Sequence, residues 1–184
     1  MKLSEIEFED DAFKEAVLAT GLENAEEVTE IRARKSSIVK VNGLEHFPNL
    51  RLLDLTRNRL TDIDLSSNPL LEEVYLGNNE IEEIDLSANP NLTHLEIFIN
   101  DISELDLTPL TKLENLYANK NDLTELDLSN NPFIEQIQVS DNELETLVLP
   151  ENVKPFIIKA ENTKLDDETI SRLKELVTDH NLKL

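Results

Sequence analysis

Residues 71–91 read LEEVYLGNNEIEEIDLSANPN, and residues 92–112 read LTHLEIFINDISELDLTPLTK. Laid over one another, they agree in type at Leu71 and Leu92, Val74 and Leu95, Leu76 and Ile97, Asn79 and Asn100, Ile81 and Ile102, and Ile84 and Leu105. The same 21-residue step carries Leu50, Leu71, Leu92, Leu113 and Ile134, and with them Asn58, Asn79, Asn100, Asn121 and Asn142. A fixed period in this range marks a solenoid, in which each repeat buries its apolar face only against its neighbours. The usual product of such a stack is an extended binding surface.

Within one unit, Leu50, Leu53, Leu55, Asn58, Leu60, Ile63 and Leu65 follow the order LxxLxLxxNxLxxLxL. Alternation around Leu53 and Leu55 predicts a short strand with those side chains inward and Asp54 and Thr56 on the other face. Strands of successive units then pair into a parallel sheet. Each Asn sits where the chain turns inward, and its amide can satisfy backbone groups that would otherwise be buried unpaired. The Asn column therefore reads as structural. A second consensus, Ile63-Asp64-Leu65-Ser66, Ile84-Asp85-Leu86-Ser87, Leu105-Asp106-Leu107-Thr108 and Leu126-Asp127-Leu128-Ser129, predicts a short extended or β segment on the return side. Asn68-Pro69, Asn89-Pro90 and Asn131-Pro132 read as turns closing the coil.

This pattern resembles the leucine-rich repeat family, in the bacterial internalin-like variety. The resemblance runs over residues 28–165, about six to seven coils, with Ser36 and Thr163 in place of Asn in the first and last. It implies an α/β solenoid shaped as a horseshoe, with a parallel concave sheet, extended convex segments and helical caps at both ends. Residues 1–27 form the expected N-terminal cap: Asp10-Asp11 precede Ala12, Phe13, Ala16, Val17 and Leu18, a helical face stopped near Gly21. Residues 166–184 form the expected C-terminal helix and tail, with Ile170, Leu173, Leu176 and Val177 on one face behind Asp166 and Asp167.

Composition narrows the function classes. The formal net charge is −22, so nucleic acid is a poor partner. There is no apolar run long enough to insert in a membrane. Residues 1–11 lack the basic segment and apolar core of a secretory signal, so the sequence as it stands is expected in the cytoplasm. A signal removed from a longer precursor would instead make it secreted or cell-surface. With no cysteine and only His46, His94 and His180, far apart on the ruler, no catalytic residue, metal site or cofactor is expected. A triad of His94, Glu73 and Glu96 is a weak coincidence on a surface rich in charge.

Sorting charges by face is more informative. The concave positions hold six bases, Arg32, Arg34, Lys35, Arg57, Lys120 and Lys159, and six acids, Glu30, Asp54, Glu73, Glu96, Asp141 and Glu161. The return segments carry Asp62, Asp64, Glu82, Glu83, Asp85, Glu104, Asp106, Glu125, Asp127 and Glu145 with no base. Tyr75 and Tyr117 stand at equivalent concave positions with Glu96 between them, and Phe98 and Ile99 follow in the middle coil. Clustered apolar exposure marks an interaction site. The expected function is thus non-enzymatic capture of a protein or peptide on the concave face, by a monomer or weakly self-associating chain. Tyr75, Phe98, Ile99 and Tyr117 are the anchors, Arg32, Arg34, Arg57 and Lys120 the charged selectors, with His94 and Glu96 at the centre. A basic partner fits the overall field, including a toxin neutralised by an inhibitor or immunity-type protein. The alternative is a cell-surface or scaffold array whose acidic convex face binds calcium weakly.

Overall fold

The computed structural model describes residues 1–151, 153–177 and 180–184. The inward positions of the ruler dictate its architecture: Leu50, Leu71, Leu92, Leu113 and Ile134 are all buried, as are Leu53, Val74, Leu95, Leu116 and Ile137 three residues on. These aliphatic rows form one continuous core running the length of the stack. Three-residue strands follow each ruler residue: β1 (Glu30–Arg32), β2 (Leu52–Asp54), β3 (Glu73–Tyr75), β4 (His94–Glu96), β5 (Asn115–Tyr117), β7 (Gln136–Gln138) and β9 (Ile157–Lys159). They pair in parallel with residue-for-residue register, so that Tyr75, Glu96, Tyr117 and Gln138 share one row and Glu73, His94, Asn115 and Gln136 the next. Seven coils are thus stacked in sequence order.

The Asn column is structural. The Asn100 Nδ2 donates to the carbonyls of Leu76 (3.1 Å) and Ile97 (3.0 Å), while its Oδ1 accepts from the Ile81 N–H at 3.1 Å. Asn79, one coil earlier, and Asn121 and Asn142, one and two coils later, repeat these bonds. At the last coil the Thr163 hydroxyl keeps one of them, to Ala160 O at 2.8 Å. A consequence invisible in the composition is that the residue before each ladder side chain is left-handed: Lys35, Arg57, Asn78, Ile99, Lys120, Asp141 and Asn162 all have φ between 53° and 61°.

A second ladder was not foreseen. Asn68, Asn89 and Asn131 are more than turn formers: each is fully buried and donates through Nδ2 to two carbonyls of the preceding coil. The turn they make is what aims the amide inward. Among the described residues of the return side, β6 (Glu125–Asp127) and β8 (Thr146–Val148) alone form a strand pair, and the earlier segments carry no assigned strand.

The ends carry helices α1 (Asp11–Leu18) and α2 (Asp167–Leu176). Asp10 accepts from the Ala12 and Phe13 N–H groups and, through its other oxygen, from Val39, which ties α1 to the first coil. Phe13 and Val17 are buried as the helical face requires, whereas Leu18 is exposed. After α2 the tail adds a short strand, β10 (Leu182–Lys183), parallel to β9. It supplies acceptors at Asn181 and Lys183 to the N–H groups of Ile158 and Ala160. Among the described residues no helix is long and apolar enough to cross a membrane.

Candidate concave binding site

The strand register sets the site. Tyr75 and Tyr117 flank Glu96 in one row, yet their rings lean toward the neighbouring row and enclose His94. Ring centroids lie 5.0 Å apart for Tyr75 and His94 and 5.3 Å for His94 and Tyr117, with interplanar angles of 34° and 29°. The Arg34 guanidinium lies 5.8 Å from the Tyr75 centroid and extends this zigzag by a cation–π contact. One connected surface thus joins Arg34, Tyr75, His94 and Tyr117.

The polar tips are tied down. The Tyr75 hydroxyl donates to Glu73 Oε2 at 2.6 Å, and the Tyr117 hydroxyl donates to Gln136 Oε1 at 3.0 Å. His94 Nε2 lies 3.1 Å from Glu96 Oε1, with both side chains about a fifth exposed (21% and 22%). Burial pushes the Tyr75 hydroxyl well above its ordinary titration range, helped by its bond to Glu73 and by the Glu73 and Glu96 charges. Tyr117 is pushed up by burial and by Glu96. Both phenols therefore stay neutral donors.

The charged residues divide in a way that face sorting did not reveal. Asp54, counted among the exposed concave acids, is 1% exposed because Arg34 folds over it. Its Oδ1 accepts from the Thr56 hydroxyl (2.8 Å) and N–H (3.2 Å), so Thr56 is buried with it. This bond with Asp54 raises the Arg34 pKa further. Arg32 pairs with Glu30 at 3.1 Å. Both guanidiniums are therefore engaged within the chain. Lys35, Arg57 and Lys120 make no ion pair among the described residues, and they stand exposed on the left-handed column at the rim.

Phe98 and Ile99 part company. The Phe98 ring lies over Gly77, where an added Cβ would come within 2.4–2.5 Å of it, and Phe98 is half-buried as part of the lattice. Ile99 is 39% exposed at φ 53°, a conformation that a β-branched side chain rarely adopts. Two large exposed groups escaped the sequence reading: Phe133 (61%) and Phe156 (63%), beside the ruler positions of the last two coils. The signal was available, since neither falls on an inward position.

The return face explains its own acids. Asp64, Asp85, Asp106 and Asp127 each accept from the backbone N–H two residues on, at 2.8–2.9 Å. Hydrogen bonds from the Ser66, Ser87, Thr108 and Ser129 hydroxyls and N–H groups hold all four carboxyls below the usual aspartate range. Among the described residues, no three His, Asp or Glu side chains converge to hold a metal ion.

Comparison with known proteins agrees with this geometry. A family profile for Leucine Rich repeats (2 copies) matches residues 48–89, and one for the Leucine Rich Repeat matches residues 122–155. The functional domain of InlJ from Listeria monocytogenes superposes with a TM-score of 0.76 at 29% identity, over 82% of this chain and 34% of that one. The chain carries leucine-rich repeats and is similar in fold to the internalins. The internalin InlF from Listeria monocytogenes superposes with a TM-score of 0.82 at 23% identity, over 96% of this chain and 56% of that one. A leucine-rich repeat protein of Leptospira interrogans gives 0.63 at 18% identity, over 82% of this chain and 47% of that one. No curated protein matches. This leucine-rich repeat protein thus spans about a third to about half of the Listeria chains it resembles. The InlJ domain includes a cysteine ladder, whereas this repeat protein has no cysteine and is laddered by Asn.

Proposed function

We propose that this protein binds a protein or peptide on its concave sheet, with Tyr75, Tyr117 and Ile99 as anchors and His94 and Glu96 between them. The observation that carries the reading is Ile99. A β-branched side chain in the left-handed region costs of order 1–3 kcal/mol, and such strain gathers at functional positions. Asn78 and Asn162 occupy the same column without that cost. Keeping Ile there, exposed and next to an aromatic surface, favours contact with a partner over stability. Tyr is also a residue type enriched in binding hot spots.

Arg57 and Lys120, without an ion pair among the described residues, act as charged selectors, while Arg32 and Arg34 shape the surface through their own ion pairs. Phe98 supports the site from beneath. The strongly acidic chain steers a basic partner toward itself, which suits an inhibitor or immunity-type role. The proposed activity is binding alone. The test is a pull-down from native lysate comparing wild type with a folded Tyr75→Ser, Tyr117→Ser, Ile99→Asn variant. A protein retained by the first and lost by the second is the expected result. Equal retention by both would refute the concave site.

A further inference from the structure

The concave centre carries two carboxylates that, among the described residues, pair with no lysine or arginine. Of the four acids around it, Glu30 is paired with Arg32 and Asp54 with Arg34, which leaves Glu73 and Glu96. Among the described residues, the Glu73 side chain accepts the Tyr75 hydroxyl and the Glu96 side chain meets the His94 ring, with no other side-chain hydrogen bond to either. Toward the C-terminal side the register neighbours are Asn115, Gln136 and Gln138, all uncharged, and Lys159 is turned to Gln138 at 3.3 Å. The two carboxylates are bordered by the Tyr75 and Tyr117 rings in the same and the adjacent row.

Any partner that covers the aromatic surface must also strip water from Glu73 and Glu96. An aliphatic side chain would leave them desolvated and unpaired, and a carboxylate would repel them; both are costly. A cation instead gains the ion pair and the ring faces together. We propose that this centre takes a cationic side chain of the partner, arginine or lysine, against Glu73 and Glu96 and over the Tyr117 ring. Arginine is the better fit, because its planar head can stack on a phenol while forking to a carboxylate. The inference rests on the concave-face reading and specifies what that face selects.

The test uses the whole chain, with the ring signals of Tyr75, His94 and Tyr117 followed by NMR. The probes are the blocked tripeptides Gly-Arg-Gly, Gly-Lys-Gly, Gly-Leu-Gly and Gly-Asp-Gly. The arginine and lysine peptides should shift the three rings saturably, and the other two should not. Glu96→Gln together with Glu73→Gln should weaken the response by about fivefold or more, while Asp85→Asn on the return face should leave it unchanged. Ring shifts of equal size with the leucine peptide, shifts confined to the return face, or none at the highest soluble concentration would overturn the assignment. Pull-down separates the two levels. If Tyr75→Ser with Tyr117→Ser abolishes capture but Glu73→Gln with Glu96→Gln does not, the cation falls and the concave site stands. If neither pair changes capture, the site itself falls.

Discussion

At the scale of single residues, each ladder Asn and its left-handed predecessor make separable contributions. Asn100 bonds two carbonyls and one N–H inside the stack, and Asn100→Ala leaves the Ile81 N–H buried without a partner while the Leu76 and Ile97 carbonyls each keep one bond, from Asn79 and Asn121. The expected loss is about 2–4 kcal/mol in urea or thermal unfolding. A loss under about 0.5 kcal/mol would mean the coil relaxes around the gap. Ile99→Asn should do the reverse, adding roughly 1 kcal/mol of stability by relieving the backbone while weakening partner capture. Gly77 and Phe98 form a third unit, since a methyl at Gly77 meets the ring at 2.4–2.5 Å. Gly77→Ala should cost about 1–3 kcal/mol in the native chain and much less in a Phe98→Ala background, a coupling that a double-mutant cycle reads directly. The Asn column was legible in the sequence because it recurs on the period. The clash at Gly77 was not, because it joins two coils through ring placement.

At the scale of elements, the return segments show how a strongly acidic surface is tolerated. Each Asp-x-Ser or Asp-x-Thr closes a small turn in which a hydroxyl and an N–H face the carboxylate, so its folded pKa lies below the ordinary value. A carboxyl depressed in this way contributes stability that is present above its unfolded pKa and lost as pH falls through the folded one. For Asp127, carbon-detected titration should therefore give a midpoint below 3.8, and Ser129→Ala should move it upward. The stability gap between wild type and Ser129→Ala should be full at neutral pH and close in acid below that value. A gap that persists unchanged at the lowest pH would contradict the turn's role. In the sequence, weak calcium binding by these acids stands as the alternative to protein capture on the concave face. Which groups each carboxylate meets depends on side-chain direction, which the period does not set, and here each turns back on its own segment.

At the scale of the whole molecule, a net charge of −22 spread along one elongated array works against compactness. Raising sodium chloride should raise the melting temperature by screening the return face, and a melting temperature indifferent to salt would show that the repulsion is already locally relieved. Parallel stacking, the aliphatic core, the Asn ladder and helices near both ends were determined by the sequence alone: the first three follow from a 21-residue period and a choice between inward and outward positions, and the helices from apolar residues on one helical face behind acidic residues. The division of the concave charges was decided only by tertiary structure. Asp54 and Glu96 occupy the same strand position two coils apart, yet Asp54 is sealed under Arg34 while Glu96 is left with His94. The same holds for the enclosed His94 ring, the half-buried Phe98 and the strand contributed by Leu182–Lys183. Periodicity fixes where a backbone position lies, but which way a long side chain leans depends on its neighbours in adjacent coils, and those meet only when the stack has formed.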